Sequence, residues 1–304
     1  MPLLTRATGR AYFALQALAG AVWWVLVPTV DAVCGATLGP LDPLLVGLLD
    51  VPLFVLASAL AALGMRWAVW IAAPWTLLVT AGMVVLATLT GEAGWGAVAM
   101  VAASAGSVLA AMLVLRGRVS LQRFLVGPLA FRPARGVSAE RPLPATVAQL
   151  LVFWTLFLVV IPLPVVWLER RWGVSATLPE PLGAAAMLCG LVLLFAASAL
   201  GLASAATMAR IGRGTPLPSA MPHRLVVAGP YRWVRNPMAV AGIGQGIAVG
   251  LLGQSWLVIA YALAGAVLWH LLVRPEEERD LASRFGADYA RYRAQVRCWV
   301  PRLR

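Results

Sequence analysis

The stretch Leu182–Met208, LGAAAMLCGLVLLFAASALGLASAATM, runs for 27 residues without a charged side chain. As an α-helix rising 1.5 Å per residue it reaches about 40 Å, enough to cross a hydrocarbon core of about 30 Å. Its apolar residues do not alternate with polar ones, so it cannot be a strand of a membrane β-barrel. Comparable runs recur along the chain, which is 61% hydrophobic and only 12% charged. The expectation is an all-α, polytopic integral membrane protein with about eight transmembrane segments: Tyr12–Val30, Leu44–Leu63, Trp67–Leu89, Trp95–Leu115, Ala145–Leu168, Leu182–Met208, Met238–Leu252 and Trp256–Val273. The first run follows Arg6 and Arg10 and has no convincing small-residue cleavage site, so it reads as a retained span rather than a signal peptide. The last two segments are separated only by Gly253-Gln254-Ser255 and are expected to form a tight C-terminal hairpin. The seventh, at about 22 Å, falls short of a full crossing.

All 24 basic residues are arginine, and the net charge is +12. They sit in short loops rather than in a nucleic-acid motif, so topology and anionic headgroups explain them first, and no nucleic-acid partner is expected. Arg6, Arg10, Arg66 and the clusters Arg116–Arg141 and Arg210–Arg235 share one side with the eight arginines after the last span. The opposite side carries Asp31, Asp42, Asp50, Glu92, Glu169 and Glu180 against Arg170 and Arg171. By the positive-inside rule both termini, and a C-terminal helix, face the cytoplasm. Asp31, Asp42 and Asp50 are expected to be solvated residues near span ends rather than an ion pathway. The Pro-rich loop Arg116–Pro144 separates residues 1–142, a four-helix membrane region of unknown role, from residues 143–304. Cys34, Cys189 and Cys298 form no C-x-x-C pair, so neither zinc nor a disulfide framework is indicated.

Chemistry-bearing residues concentrate in two polar blocks flanking the hairpin. The first runs from Gly212 to Pro237 and includes His223-Arg-Leu-Val-Val-Ala-Gly-Pro-Tyr-Arg-Trp-Val-Arg-Asn-Pro237. The second holds Arg274-Pro-Glu-Glu-Glu-Arg-Asp-Leu and then Arg284-Phe-Gly-Ala-Asp-Tyr-Ala-Arg-Tyr-Arg. Its charges alternate in sign at helical spacing, and Tyr289 and Tyr292 fall on one face. Glu276–Glu278 are expected in the first turn of a helix, where the macrodipole favours acids. Taken singly, these residues have ordinary readings: headgroup contacts for Arg224 and Arg232, a loop histidine at His223, a packed span-end residue at His270. Gly242-Ile-Gly-Gln-Gly246 has the look of a nucleotide loop but lies inside an apolar helix, where close helix packing is the better account.

Taken jointly, the blocks resemble the isoprenylcysteine carboxyl methyltransferase family and its bacterial relatives. The pattern H-x-L-V-x-x-G-x-Y-x-x-x-R-x-P is met by His223, Leu225, Val226, Gly229, Tyr231, Arg235 and Pro237. E-E-x-x-L-x-x-x-F-G-x-x-Y-x-x-Y follows after the hairpin, met by Glu277, Glu278, Leu281, Phe285, Gly286, Tyr289 and Tyr292. Gly214–Pro218 looks like the bacterial branch, and the first four segments lie outside the resemblance.

The resemblance implies S-adenosylmethionine as cofactor and a lipid-like or small hydrophobic acceptor reaching the site from the bilayer. It implies carboxylate O-methylation, with phospholipid N-methylation or small-thiol S-methylation as alternatives on the same architecture. His223, Leu225, Val226, Gly229, Tyr231, Asn236, Pro237, Glu277 and Glu278 are the candidate cofactor-binding residues, and Arg235 the candidate catalytic one. Glu277 or Glu278 would take the cofactor's ammonium. The backbone of Leu225–Gly229 would hold adenine and ribose, with Gly229 allowing close approach, and Tyr231 would wall the cofactor. Arg235 would bind an anionic group of the substrate or the cofactor carboxylate. Ala239 replaces a usual tyrosine, and Val296-Arg-Cys-Trp-Val-Pro301 departs from the usual ending; both bear on the acceptor. A transporter or nonenzymatic membrane binding protein is the rival class, against which the scarcity of ionisable residues within the spans counts.

Overall fold

The structure is a computed structural model that describes residues 4–119, 142–176, 178–212 and 224–302. Among these residues every regular element is helical. In chain order they are α1 (Arg6–Leu26), α2 (Asp31–Thr37), α3 (Pro43–Leu63), α4 (Arg66–Thr90), α5 (Gly94–Arg116) and α6, which starts as Pro142–Trp154 and ends as Pro162–Arg171. There follow α7 (Glu180–Gly212), α8 (Pro237–Leu252) and α9 (Trp256–Gln295), with a single 3₁₀ turn, Gly229–Arg232, before α8.

Six described helices are long and apolar enough to cross a membrane: α3, α4, α5, the Leu150–Arg171 part of α6, α7, and α9 through its apolar first half. Helix α8 is apolar but short, as its sequence predicts. Helix α1, expected as the first span, carries Arg6, Arg10 and Gln16 and is not among the six. Large apolar side chains face outward along the spans, Leu44 and Leu48 on α3 and Phe195 on α7 among them, as a lipid-facing surface requires.

Three wide π-type turns interrupt the spans beside prolines: Val51–Leu56 contains Pro52, Thr155–Val160 precedes Pro162, and Trp269–Val273 precedes Pro275. Proline lacks an N–H and presses on the carbonyl four residues back, and a widened turn absorbs both faults without ending the helix. The last case overturns an expectation. Glu276–Glu278 do not open a helix, because Val273 and Arg274 already have helical backbone and α9 continues through them. The free N-terminal dipole invoked for these acids is therefore absent. Helix α9 breaks instead at Gly286, whose φ of 47° and ψ of −120° leave the helical region.

Contacts divide the chain into two compact units, residues 1–120 with 167–175, and residues 121–166 with 176–304. The first has an apolar core around Phe13, Ala61, Ala68, Val69 and Ala110. Beside it lies a polar knot: Gln16 donates to Ser58 Oγ at 3.0 Å, and Ser107 Oγ donates to Gln16 Oε1 at 2.7 Å. Such bonds between spans offset the cost of placing polar groups in hydrocarbon. Arginines finish helix ends whose last carbonyls lack partners: Arg10 Nε donates to Ala62 O at 2.8 Å, and Arg171 Nε to Thr88 O at 2.8 Å.

Asp50, expected to be solvated, is not. Asp50 is 6% exposed and accepts the indole N–H of Trp24 at 2.9 Å and of Trp75 at 2.8 Å. Glu169 is 1% exposed. Asp42 behaves as an ordinary N-cap, accepting from the backbone N–H of Leu44 and Leu45.

In the second unit α7, α8 and the start of α9 pack through small residues. A side chain at Gly246 would meet Ala262 Cβ at 2.8 Å, and one at Gly244 would meet Ala197 Cβ at 3.2 Å. The glycines of Gly242–Gly246 thus serve close helix approach. The hairpin turn is as tight as expected: Ser255 caps α9 by accepting from Val258 N–H, and its own N–H donates to Gly250 O at 2.8 Å.

Candidate functional site

The two polar blocks meet at the charged end of α9. Pro237 takes the first position of α8, where its missing N–H costs nothing. Asn236 precedes it without capping the helix through its side chain. This geometry delivers Arg235 against the second block. Arg235 Nη1 lies 3.0 Å from Glu278 Oε1, with the side chains 12% and 11% exposed. The contact lacks hydrogen-bond alignment, since Arg235 Nη1 and Nε and Glu278 Oε1 all lie buried without a hydrogen-bond partner. Arg235 is thus held to Glu278 by charge, with Nη1 and Nε of its fork not consumed.

Glu278 is the hub of a positive cluster. Arg293 Nη2 lies 3.6 Å from Oε2, and Arg274 Nε lies 3.9 Å from Oε1. Glu277 differs sharply from its neighbour. No arginine pairs with it among the described residues, and burial, then the charges of Glu278 and Asp280, push its carboxyl up to about 7. Adjacent acids that look interchangeable in the sequence therefore have different electrostatics: one is committed to arginines, the other lacks a cation.

Tyr231, in the 3₁₀ turn, is buried, and its backbone carbonyl accepts the Tyr292 hydroxyl at 2.6 Å. Its phenol pKa is raised by burial first, then by the charges of Glu277 and Tyr292. Tyr289 is buried too, and its phenol neighbours Arg235. The break at Gly286 lies just before these two tyrosines, and a concavity of about 380 Å3 lined by Gly286, Tyr289 and Arg293 opens there.

Gly229 takes φ of +57°, and a Cβ there would lie 2.7 Å from Thr207 Oγ1 at the end of α7. The close approach that demands glycine is therefore to a neighbouring helix. Val226 is buried and Leu225 half-buried in the irregular stretch before the turn. His223 and Gly214–Pro218 lie outside the described residues.

The C-terminal tail adds residues that the motifs do not contain. Arg235 N–H donates to Arg297 O at 3.0 Å, Asn236 Nδ2 lies 3.9 Å from Cys298 Sγ, and Trp299 Nε1 donates to His270 Nδ1 at 2.8 Å. Three consecutive residues thus reach the first block and the end of the last span. In the sequence the only signal was that this ending departs from the family pattern.

Of the expected site residues, the structure gathers Tyr231, Arg235, Asn236, Glu277 and Glu278 with Tyr289 and Tyr292. Residues 182–288 match the phospholipid methyltransferase family, which belongs to the isoprenylcysteine carboxyl methyltransferase-like superfamily. That family is one of methyltransferases, which supports an enzyme. The matched segment covers α7, α8 and most of α9, and includes the first polar block and the second as far as Asp288. No curated protein and no solved structure matches the chain.

Proposed function

We propose that this protein is an S-adenosylmethionine-dependent methyltransferase of the cytoplasmic membrane, acting at its cytoplasmic face, where both termini lie, on a lipid-like acceptor drawn from the bilayer. The family match favours the amine of a phospholipid as acceptor over a carboxylate or a small thiol. The observation that carries the reading is the pairing of Arg235 with Glu278 beside a half-buried Glu277 that no cation among the described residues neutralises.

The residues present suit the cofactor's charged end. A half-buried carboxyl poised near neutrality is the complement of an ammonium, which would hold it ionised by a charge-assisted hydrogen bond. Glu277 is the acid free for that task, since Glu278 is committed to arginines. Arg235, with donors still open, suits a carboxylate. Bound S-adenosylmethionine supplies an electrophilic methyl on a sulfonium sulfur. The chain's own part is alignment and exclusion of water, since a direct displacement needs little else from the protein. Tyr231 and Tyr292 would close the buried side, and Leu225 and Val226 would extend the cofactor wall. An amine acceptor must arrive unprotonated, because its lone pair attacks the methyl carbon.

The test is transfer of radiolabelled methyl from S-adenosylmethionine by the full-length protein in vesicles containing phosphatidylethanolamine. Label in the extracted phospholipid is the expected result. Label in no lipid, with S-adenosylmethionine bound, would remove the phospholipid acceptor.

A further inference from the structure

Two donors stand at the junction where α9 passes from apolar to charged sequence, His270 outside the Glu278 cluster and Arg274 at its edge. His270 Nδ1 accepts the indole N–H of Trp299 at 2.8 Å. An imidazole nitrogen that accepts cannot carry a proton, so the neutral ring holds its proton on Nε2. Nothing among the described residues accepts from that nitrogen, and the ring is partly exposed. Trp269 and Trp299 pack edge to face with centroids 5.2 Å apart, which holds the tail against this end of the span.

Arg274 follows one turn later and lies within electrostatic reach of the imidazole. Its Nε is buried without a hydrogen-bond partner, and its nearest acid, Glu278 Oε1, is 3.9 Å away and already lies closer to Arg235. The arrangement is one fixed N–H donor and, one turn along, a guanidinium whose Nε has no hydrogen-bond partner, at the end of the apolar half of α9. The ligand class that matches is a singly charged anion with several oxygens attached to an apolar body.

We infer that His270 and Arg274 bind the phosphodiester of the phospholipid acceptor, with Trp299 as the positioning residue that fixes the imidazole's donor. The inference rests on the proposed methyltransferase reading and gives its acceptor a binding site. Selection would come from the phosphate as well as from the acyl chains, and an uncharged lipid or a small thiol would lack the recognised group.

The experiment uses the full-length protein in maltoside micelles, which contain no phosphorus, and follows dihexanoylphosphatidylethanolamine by the broadening of its ³¹P resonance. The wild type is expected to bind it, while His270→Ala and Arg274→Gln weaken binding about tenfold, the scale of a lost charge-assisted hydrogen bond. His270→Gln, which restores a donor at the Nε2 position, recovers most of the affinity, and Trp299→Phe loses severalfold. Inorganic phosphate in excess should not displace the lipid. Equal affinity in all variants, displacement of the phospholipid by an equal concentration of dihexanoylglycerol, or displacement by inorganic phosphate would overturn the inference. Calorimetry with S-adenosylmethionine on the same samples keeps the two readings apart. Lipid binding through His270 without cofactor binding would sink the methyltransferase reading alone, and cofactor binding with indifferent lipid affinity would sink this one alone.

Discussion

The Tyr292 hydroxyl donates to the Tyr231 backbone carbonyl at 2.6 Å, tying the far end of α9 to the turn that precedes α8. Burial pushes both phenols up, so the Tyr292 proton stays in place through the physiological range. Tyr292→Phe leaves a buried carbonyl without its donor, at a cost of about 1–2 kcal/mol. A lower thermal unfolding midpoint is expected, together with weaker cofactor affinity. An unchanged midpoint would mean that the turn is held by packing alone.

Arg235 and Glu278 should behave as a coupled pair. Removing either leaves a buried charge facing its former partner's surroundings, which costs more than removing both. Arg235→Met and Glu278→Met together should destabilise less than the sum of the single variants, by about 1–3 kcal/mol in a double-mutant cycle. Additive costs would show that the 3.0 Å contact carries no energy.

Glu277 makes opposite demands on stability and binding. Its carboxyl lies at about 7 in the folded chain, above the ordinary carboxylate range of the unfolded one. The folded state therefore holds the proton more tightly, and stability is lost as pH rises from that range through 7. Glu277→Gln should be more stable than the wild type at pH 8, with the advantage vanishing at low pH. Binding runs the other way. An ammonium needs the carboxylate, so cofactor affinity should fall about tenfold from pH 8 to pH 6 in the wild type. In Glu277→Gln it should be weak and flat. A flat wild-type profile would exclude Glu277 as the ammonium partner.

These electrostatics show how far the residues could be read before the fold was known. Uncharged runs such as Leu182–Met208 announce helices because hydrocarbon leaves the backbone no other partner. The spacing of Tyr289 and Tyr292 announces one shared helix face, which the fold buries. The difference between Glu277 and Glu278 is not local: it depends on Arg235, placed by α8, and on Arg293, beyond the break at Gly286. Pro275 reads as a helix breaker, yet the wide turn at Trp269–Val273 carries the helix past it. Asp50 reads as a loop acid because the indoles that receive it, Trp24 and Trp75, come from other helices. The tail's contacts with Arg235, Asn236 and His270 have no periodicity to betray them.

Asp50 gives a test in the first unit. Asp50→Leu leaves two indole N–H groups without acceptors inside a span, at a cost of about 2–4 kcal/mol. Asp50→Asn retains one acceptor oxygen and should lose roughly half as much. Thermal unfolding and the near-ultraviolet circular dichroism of the tryptophans would report both. Equal behaviour of the two variants would mean that the indoles find other acceptors.

The central claim is that the two polar blocks form a methyl-donor site, and calorimetric binding of S-adenosylmethionine to the full-length, folded protein in detergent tests it most directly. Saturable one-to-one binding is expected, weakened about tenfold or more by Glu277→Gln and by Arg235→Ala, the scale of one lost charged contact. Absence of binding by the folded wild type, or binding indifferent to both substitutions, would contradict it.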